Sequence, residues 1–116
     1  MDISEELVRW ETEFKKGFSK PLILLSLAQK PTYPYQLTKT IVGDTRGKIS
    51  IAGSNIYPIL KKIEDDGLIE GRKDEESRKR VYNLTEEGKE FLELLKESMQ
   101  EFMEVIQELI DRDQEV

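Results

Sequence analysis

Apolar residues recur at helical spacings from the start of the chain. Ile3, Leu7, Trp10 and Phe14 follow at intervals of 4, 3 and 4, one stripe on a helix of three to four turns. Asp2, with Glu5 three residues on, has the pattern of a capping box, and Gly17 interrupts the helix. Pro21 suits the first turn of a second helix, and Pro21 to Ala28 is almost wholly apolar, the mark of a helix buried on most sides. Lys30 and Pro31 end it, and Pro34 opens a third helix reaching Val42. Gly43, Asp44 and Gly47 form a loop, after which Lys48 to Ile51 alternates like a short strand.

Ser54 to Leu84 carries the sharpest pattern. Ile56, Ile59, Leu60 and Ile63 bury one face of a helix and leave Asn55, Lys61 and Lys62 outside. Pro58 lacks the N–H that an interior position donates, so this helix must start shortly before it, near Gly53 or Ser54. Gly67 can take the left-handed conformation that stops a helix, and in that register Ile63 and Leu68 are the touching pair of a Schellman motif. Leu68–Lys73 and Lys79–Leu84 then read as antiparallel strands around the polar turn Asp74–Ser77, with Ile69, Val81 and Leu84 facing inward. A helix, a stop and a hairpin in this order read as a recognition helix and a wing. The expected fold is therefore mainly α with a small β-hairpin, a winged helix-turn-helix.

Thr85 is a good N-cap for a last helix, with Glu86 and Glu87 where the helix dipole favours acids. Leu92, Leu95, Met99, Phe102, Ile106 and Leu109 recur along it at 3, 4, 3, 4 and 3, a coiled-coil seam that needs a partner helix. The stripe of Ile3, Leu7, Trp10 and Phe14 offers a second dimerisation surface; the alternative is that the two terminal helices pack on each other within one chain. The expected division is an N-terminal dimerisation helix over 1–19, a winged helix unit over 20–84 and a C-terminal dimerisation helix over 85–116.

Composition changes this picture in two places. There is no Cys and no His among 116 residues, which removes thiol nucleophiles, disulfides, imidazole bases and the usual zinc ligands, and with them most enzyme readings. No cofactor or metal is expected. The first 20 residues are charged and no apolar run approaches the roughly 20 residues that span a bilayer, so a soluble cytoplasmic protein without membrane contact is expected. Net charge is −6, but residues 85–116 hold 11 acids and 3 bases while residues 1–84 hold 15 bases and 13 acids. The acidity belongs to the last helix. Between residues 72 and 80, five bases face three acids, a local basic element on the wing.

The run SNIYPILKKIEDDGLIEG followed by RKRVYNLTEEGKEFL resembles the PadR family of transcriptional regulators over residues 20–92. Tyr57, Pro58 and Leu60 match the family's recognition helix, Glu64, Gly67 and Leu68 its stop, and Tyr82, Leu84, Thr85 and Gly88 the entry to its last helix. Pro34, Ile56 and Ala52 depart from its usual Gly, Leu and capping Ser or Asn. The resemblance implies a homodimeric regulator, often a repressor, with a C-terminal dimerisation helix and in many members a response to small aromatic compounds.

The residues supply a mechanism of their own. An exposed helix face fits the major groove of double-stranded DNA, with Ser54 and Asn55 placed for base edges and Tyr57, Lys61 and Lys62 for the backbone. Arg72, Lys73, Arg78, Lys79 and Arg80 on the wing flank the minor groove, and Tyr35, Gln36 and Lys39 on the preceding helix are further contacts. A two-fold axis would present two such helices to half-sites roughly 34 Å apart, an inverted-repeat operator. Trp10, Phe14, Met99, Phe102 and Met103 are candidates for an effector pocket, although aromatic and Met stripes at helical spacing also make plain core. The competing reading is a protein–protein interaction module without DNA binding, with the acidic last helix as its contact surface.

Overall fold

The chain forms α1 (Ile3–Lys15), α2 (Ser19–Gln29), α3 (Pro34–Asp44), α4 (Gly53–Asp65), β1 (Ile69–Lys73), β2 (Arg80–Leu84) and α5 (Glu86–Gln114). The structure, a computed structural model, describes residues 1–114, so residues 115 and 116 of the expected C-terminal segment lie outside the described residues. This is a winged helix-turn-helix: α3 and α4 are its helix pair, and β1 and β2 form its antiparallel wing.

The core follows the apolar pattern closely. Ile23, Leu24 and Leu27 of α2 meet Leu37 and Ile41 of α3, Ile56, Leu60 and Ile63 of α4, Ile69 and Leu84 of the wing and Leu92 of α5. The recognition helix α4 starts at Gly53, as expected, although Pro58 then lies inside the helix rather than in its first turn, and it stops at Gly67, whose φ is 82°. Leu68 donates to the Ile63 carbonyl at 3.3 Å and Gly67 to the Glu64 carbonyl at 2.9 Å, the two bonds of a Schellman motif. Thr85 caps α5 through its Oγ, which accepts the Gly88 N–H at 2.9 Å.

Three expectations, and the one-chain alternative for the terminal helices, need correction. Lys48–Ile51 is not a strand: Thr45 Oγ accepts the Ile49 N–H at 3.1 Å and lies 3.2 Å from its carbonyl, so a side chain takes the place of a partner strand. Tyr82, not Val81, joins Leu84 on the inward face, because side chains alternate along a strand and 81 and 84 cannot share a side. Leu92 is 2% exposed and Leu95 packs against the same cluster, so the first two seam positions belong to the chain's own core. The terminal helices do not cover each other within one chain either. α1 has no buried residue, and Ile3, Leu7, Trp10 and Phe14 are 78%, 57%, 68% and 65% exposed. Phe102, Ile106 and Leu109 of α5 are exposed as well. These two arms raise the radius of gyration to 16.8 Å, against about 13 Å for a compact domain of this length.

One element escaped the sequence pattern. Thr32, between α2 and α3, exchanges N–H···O bonds with Tyr82 at 3.1 and 2.9 Å and so adds a single rung to the wing's edge. Among the described residues no helix is long and apolar enough to cross a membrane.

Gly88 shows how tightly the wing and α5 are joined. A Cβ there would collide with the Leu68 carbonyl and meet its carbon at 2.9 Å. Gly88→Ala is therefore expected to lower stability by roughly 1–3 kcal/mol, whereas the same change in an exposed helix adds about 1 kcal/mol. Chemical denaturation of the two proteins checks the sign.

Candidate nucleic-acid interface

The exposed face of α4 begins at an unusual helix start. Its N-cap is Ala52, which offers no side-chain oxygen; the Ala52 carbonyl accepts the N–H groups of Asn55 and Ile56 at 2.9 and 3.2 Å. Ser54, Asn55, Tyr57, Lys61 and Lys62 are all exposed. Asn55 and Tyr57 are two residues apart, about 200° around the helix, so they look to opposite flanks.

On the Tyr57 flank lies a cleft of about 340 Å³ that draws on three elements. α3 contributes Tyr35 and Gln36, α4 contributes Tyr57 and the wing contributes Lys79 and Arg80, with Tyr33 and Pro34 completing the wall. Residues far apart in the chain, five of them expected as DNA contacts, are thus brought together. Lys39 stands beside this group with its ammonium 4.5 Å from the centre of the Tyr35 ring. On the Asn55 flank a second cleft, of about 510 Å³, places Asn55 with Lys15, Lys16, Lys48 and Ser50. These four bear on the same face of α4 and were missed from sequence. Lys48 and Ser50 could have been noticed as the polar residues just before α4; for Lys15 and Lys16 no local signal exists.

Lys61 pairs with Asp65 and Lys62 with Asp66, each at 3.3 Å. Exposed i,i+4 pairs of this kind contribute about 0.3–0.5 kcal/mol, so they leave both ammonium groups available to a stronger anion. Arg72 pairs with Glu70 on the wing at 2.9 Å. Lys73, Arg78 and Lys79 are exposed, and Arg78 turns the wing tip with a φ of 62°.

Two acids anchor the wing. At the tip, the Asp74 carboxylate accepts from the Ser77 hydroxyl at 2.7 Å and from the Tyr33 hydroxyl at 3.0 Å, tying the turn to the start of α3. At the base, Glu64 Oε2 accepts the Gly71 N–H at 3.0 Å and Arg80 Nη2 at 3.0 Å. Both carboxyls are held below their ordinary range. For Glu64 the Gly71 N–H acts most strongly, then Arg80, with burial opposing; for Asp74 the Ser77 and Tyr33 hydroxyls lead.

Of the residues expected around an effector, Met99, Phe102 and Met103 share a cleft of about 320 Å³ with Phe18 and Pro21. Trp10 and Phe14 are not in its wall; the Trp10 indole N–H instead donates to Glu6 on its own helix at 3.2 Å.

A helix-turn-helix followed by a wing, with exposed bases on both, defines the winged helix class of transcriptional regulator. The chain belongs to the Transcriptional regulator PadR-like family, whose sequence model matches residues 23–94. It is 32% identical over 80 residues, 69% of its length, to the Transcriptional regulator YqjI of Escherichia coli (strain K12), and spans only 38% of that protein. A PadR family transcription regulator from Clostridium difficile R20291 is similar in structure, with a TM-score of 0.71 and 30% identity over 81% of this chain and 99% of that one. Bacillus subtilis PadR, solved in complex with operator DNA, is 32% identical with a TM-score of 0.58, covering 64% of this chain and 44% of that chain. The chain is thus a member of a family of transcriptional regulators.

The anchoring acids set a pH dependence. Because their folded-state pKa is depressed, their contribution to stability is complete above the ordinary carboxylate value and is lost as pH falls through the lowered one. Stability should therefore drop on acidification below about pH 4, and Glu64→Gln and Asp74→Asn should each flatten that drop, as followed by thermal unfolding across the acid range.

Proposed function

We propose that the protein is a homodimeric, sequence-specific DNA-binding repressor that recognises an inverted-repeat operator. The observation that carries this reading is the cleft in which α3, α4 and the wing present Tyr35, Gln36, Tyr57 and Lys79 on one face. In the proposed complex α4 lies in the major groove with Ser54 and Asn55 at base edges and Lys61 and Lys62 at phosphates. Lys39, Arg72, Lys73, Arg78 and Lys79 reach the backbone beside it, and Lys48 grips the strand on the Asn55 flank. The free N–H groups at the uncapped start of α4 favour a phosphate there. The operator complex of the related Bacillus subtilis protein supports the same partner.

Dimerisation is supported by the two arms that find no cover within the chain. Ile3, Leu7, Trp10 and Phe14 of α1 and Met99, Phe102, Ile106 and Leu109 of α5 are the surfaces a second copy would bury. The same association brings the Trp10 and Phe14 of a second copy toward the cleft at Met99, Phe102 and Met103, where a small aromatic effector would bind and release the operator. The site of action is the cytoplasm, where the DNA is.

Selection of bound sequences from a random duplex pool should return a two-fold symmetric site with half-sites about one helical turn apart. Asymmetric sites, or no enrichment, would favour a protein-interaction module instead. Reversing both Lys61 and Lys62 to Glu should weaken binding to the selected site by at least about tenfold, measured by fluorescence anisotropy; unchanged affinity removes α4 from the interface. Phe102→Asp should shift the protein to monomers in sedimentation equilibrium and weaken operator binding with it.

A further inference from the structure

Arg80 stands apart from the other wing bases. Strand alternation places it on the same face as Tyr82 and Leu84, toward α4, whereas Val81 faces away and Lys79, just before the strand, lies over the Tyr33 ring at 5.7 Å. Its guanidinium is bonded to Glu64 and lies 5.7 Å from the centre of the Tyr82 ring. The path it takes is open only because residue 71, opposite Tyr82 in the ladder, is glycine. A Cβ there would collide with the Arg80 side chain and meet the Tyr82 ring at 2.8 Å. Glu64, in the last turn of α4, is the less exposed partner, at 28% against 53% for Arg80, and the same carboxylate oxygen already holds the Gly71 N–H. Unlike Asp65 and Asp66, it is fixed by groups from both strands of the wing.

We propose that Arg80 is a strut rather than a phosphate contact: crossing the space left by Gly71, it ties the wing to the end of the recognition helix, and Glu64 withholds it from DNA. Glu64 and Arg80 are thus positioning residues. They set the angle between α4 and the wing before DNA arrives, and they keep one of the five wing bases out of the non-specific electrostatic contact. The inference rests on the DNA-binding reading above and refines which residues carry it.

Counterion release distinguishes a strut from a phosphate-binding base. Each neutralised phosphate contributes about 0.9 to the slope of log affinity against log salt. The probe is a random-sequence duplex of roughly 30 base pairs, long enough for two half-sites one turn apart. Lys79→Met should flatten the slope by about 0.9 for each phosphate that Lys79 neutralises, while Arg80→Met should leave it at the wild-type value. Glu64→Gln keeps an acceptor for Gly71 but removes the negative charge that holds Arg80 against a competing phosphate, so the slope should steepen by a similar amount, and Glu64→Gln with Arg80→Met should restore it. A merely structural role for Glu64 would not steepen the slope. The proposal is overturned if Arg80→Met flattens the slope as Lys79→Met does, or if Glu64→Gln leaves it unchanged. If neither Lys79→Met nor the Lys61 and Lys62 reversal alters binding, the DNA-binding reading itself fails, which is a separate result.

Discussion

The architecture depends on one short reversal, Gly67–Leu68. Its left-handed glycine ends α4, and its two N–H groups close the last turn of that helix. Its two carbonyls receive the start of α5: Thr85 donates its hydroxyl to Gly67 at 2.7 Å and its N–H to Leu68 at 3.1 Å. Gly88 then brings the α5 backbone against Leu68. The recognition helix, both ends of the wing and the long terminal helix therefore meet within a few residues, joined by backbone bonds and the short Thr85 hydroxyl. An angular error at this point would be carried both to the face of α4 and to the far end of α5.

What could be read from sequence was what local chemistry decides. The Gly67 stop, the Thr85 cap and the apolar face of α4 each depend on residues within one or two turns, and each appears as expected. Errors arose where the deciding partner is distant or where a short pattern fits two structures. Ile49 and Ile51 alternate like a strand, but a strand needs a neighbour, and Thr45 supplied a side chain instead. Leu92 continues a heptad and also reaches the core, and only the packing of α5 on α2 and β2 decides between them. The candidate interface was half legible. Its bases and aromatics could be named, but the links that position them, Tyr33 to Asp74 and Glu64 to Arg80, join residues 41 and 16 positions apart.

Charge is sorted along the molecule as cleanly as hydrophobicity. The segment from residue 85 onward is strongly acidic and the part before it slightly basic. With the wing and α4 at one end and the free length of α5 directed away, this gradient gives the protein an electrostatic orientation. A polyanion is attracted to one end and repelled by the other, so the overall negative charge favours solubility without opposing a productive approach. Within the basic end, acids serve as anchors: Asp74 and Glu64 accept from hydroxyl, amide and guanidinium groups of neighbouring elements and fix the wing's position.

The lack of histidine and cysteine, first met as a reason to set enzymes aside, also limits what this regulator can sense. No side chain of the chain is an imidazole or a thiol, so none can form a disulfide or a sulfenic acid. A shift in cellular redox poise therefore finds no thiol to oxidise. Signals can still act from outside on the charge pattern: ion concentration, the concentration of the protein itself and a molecule that enters its apolar clefts. A cell can deliver such a signal as matter, by an osmotic change, by new synthesis or by a ligand.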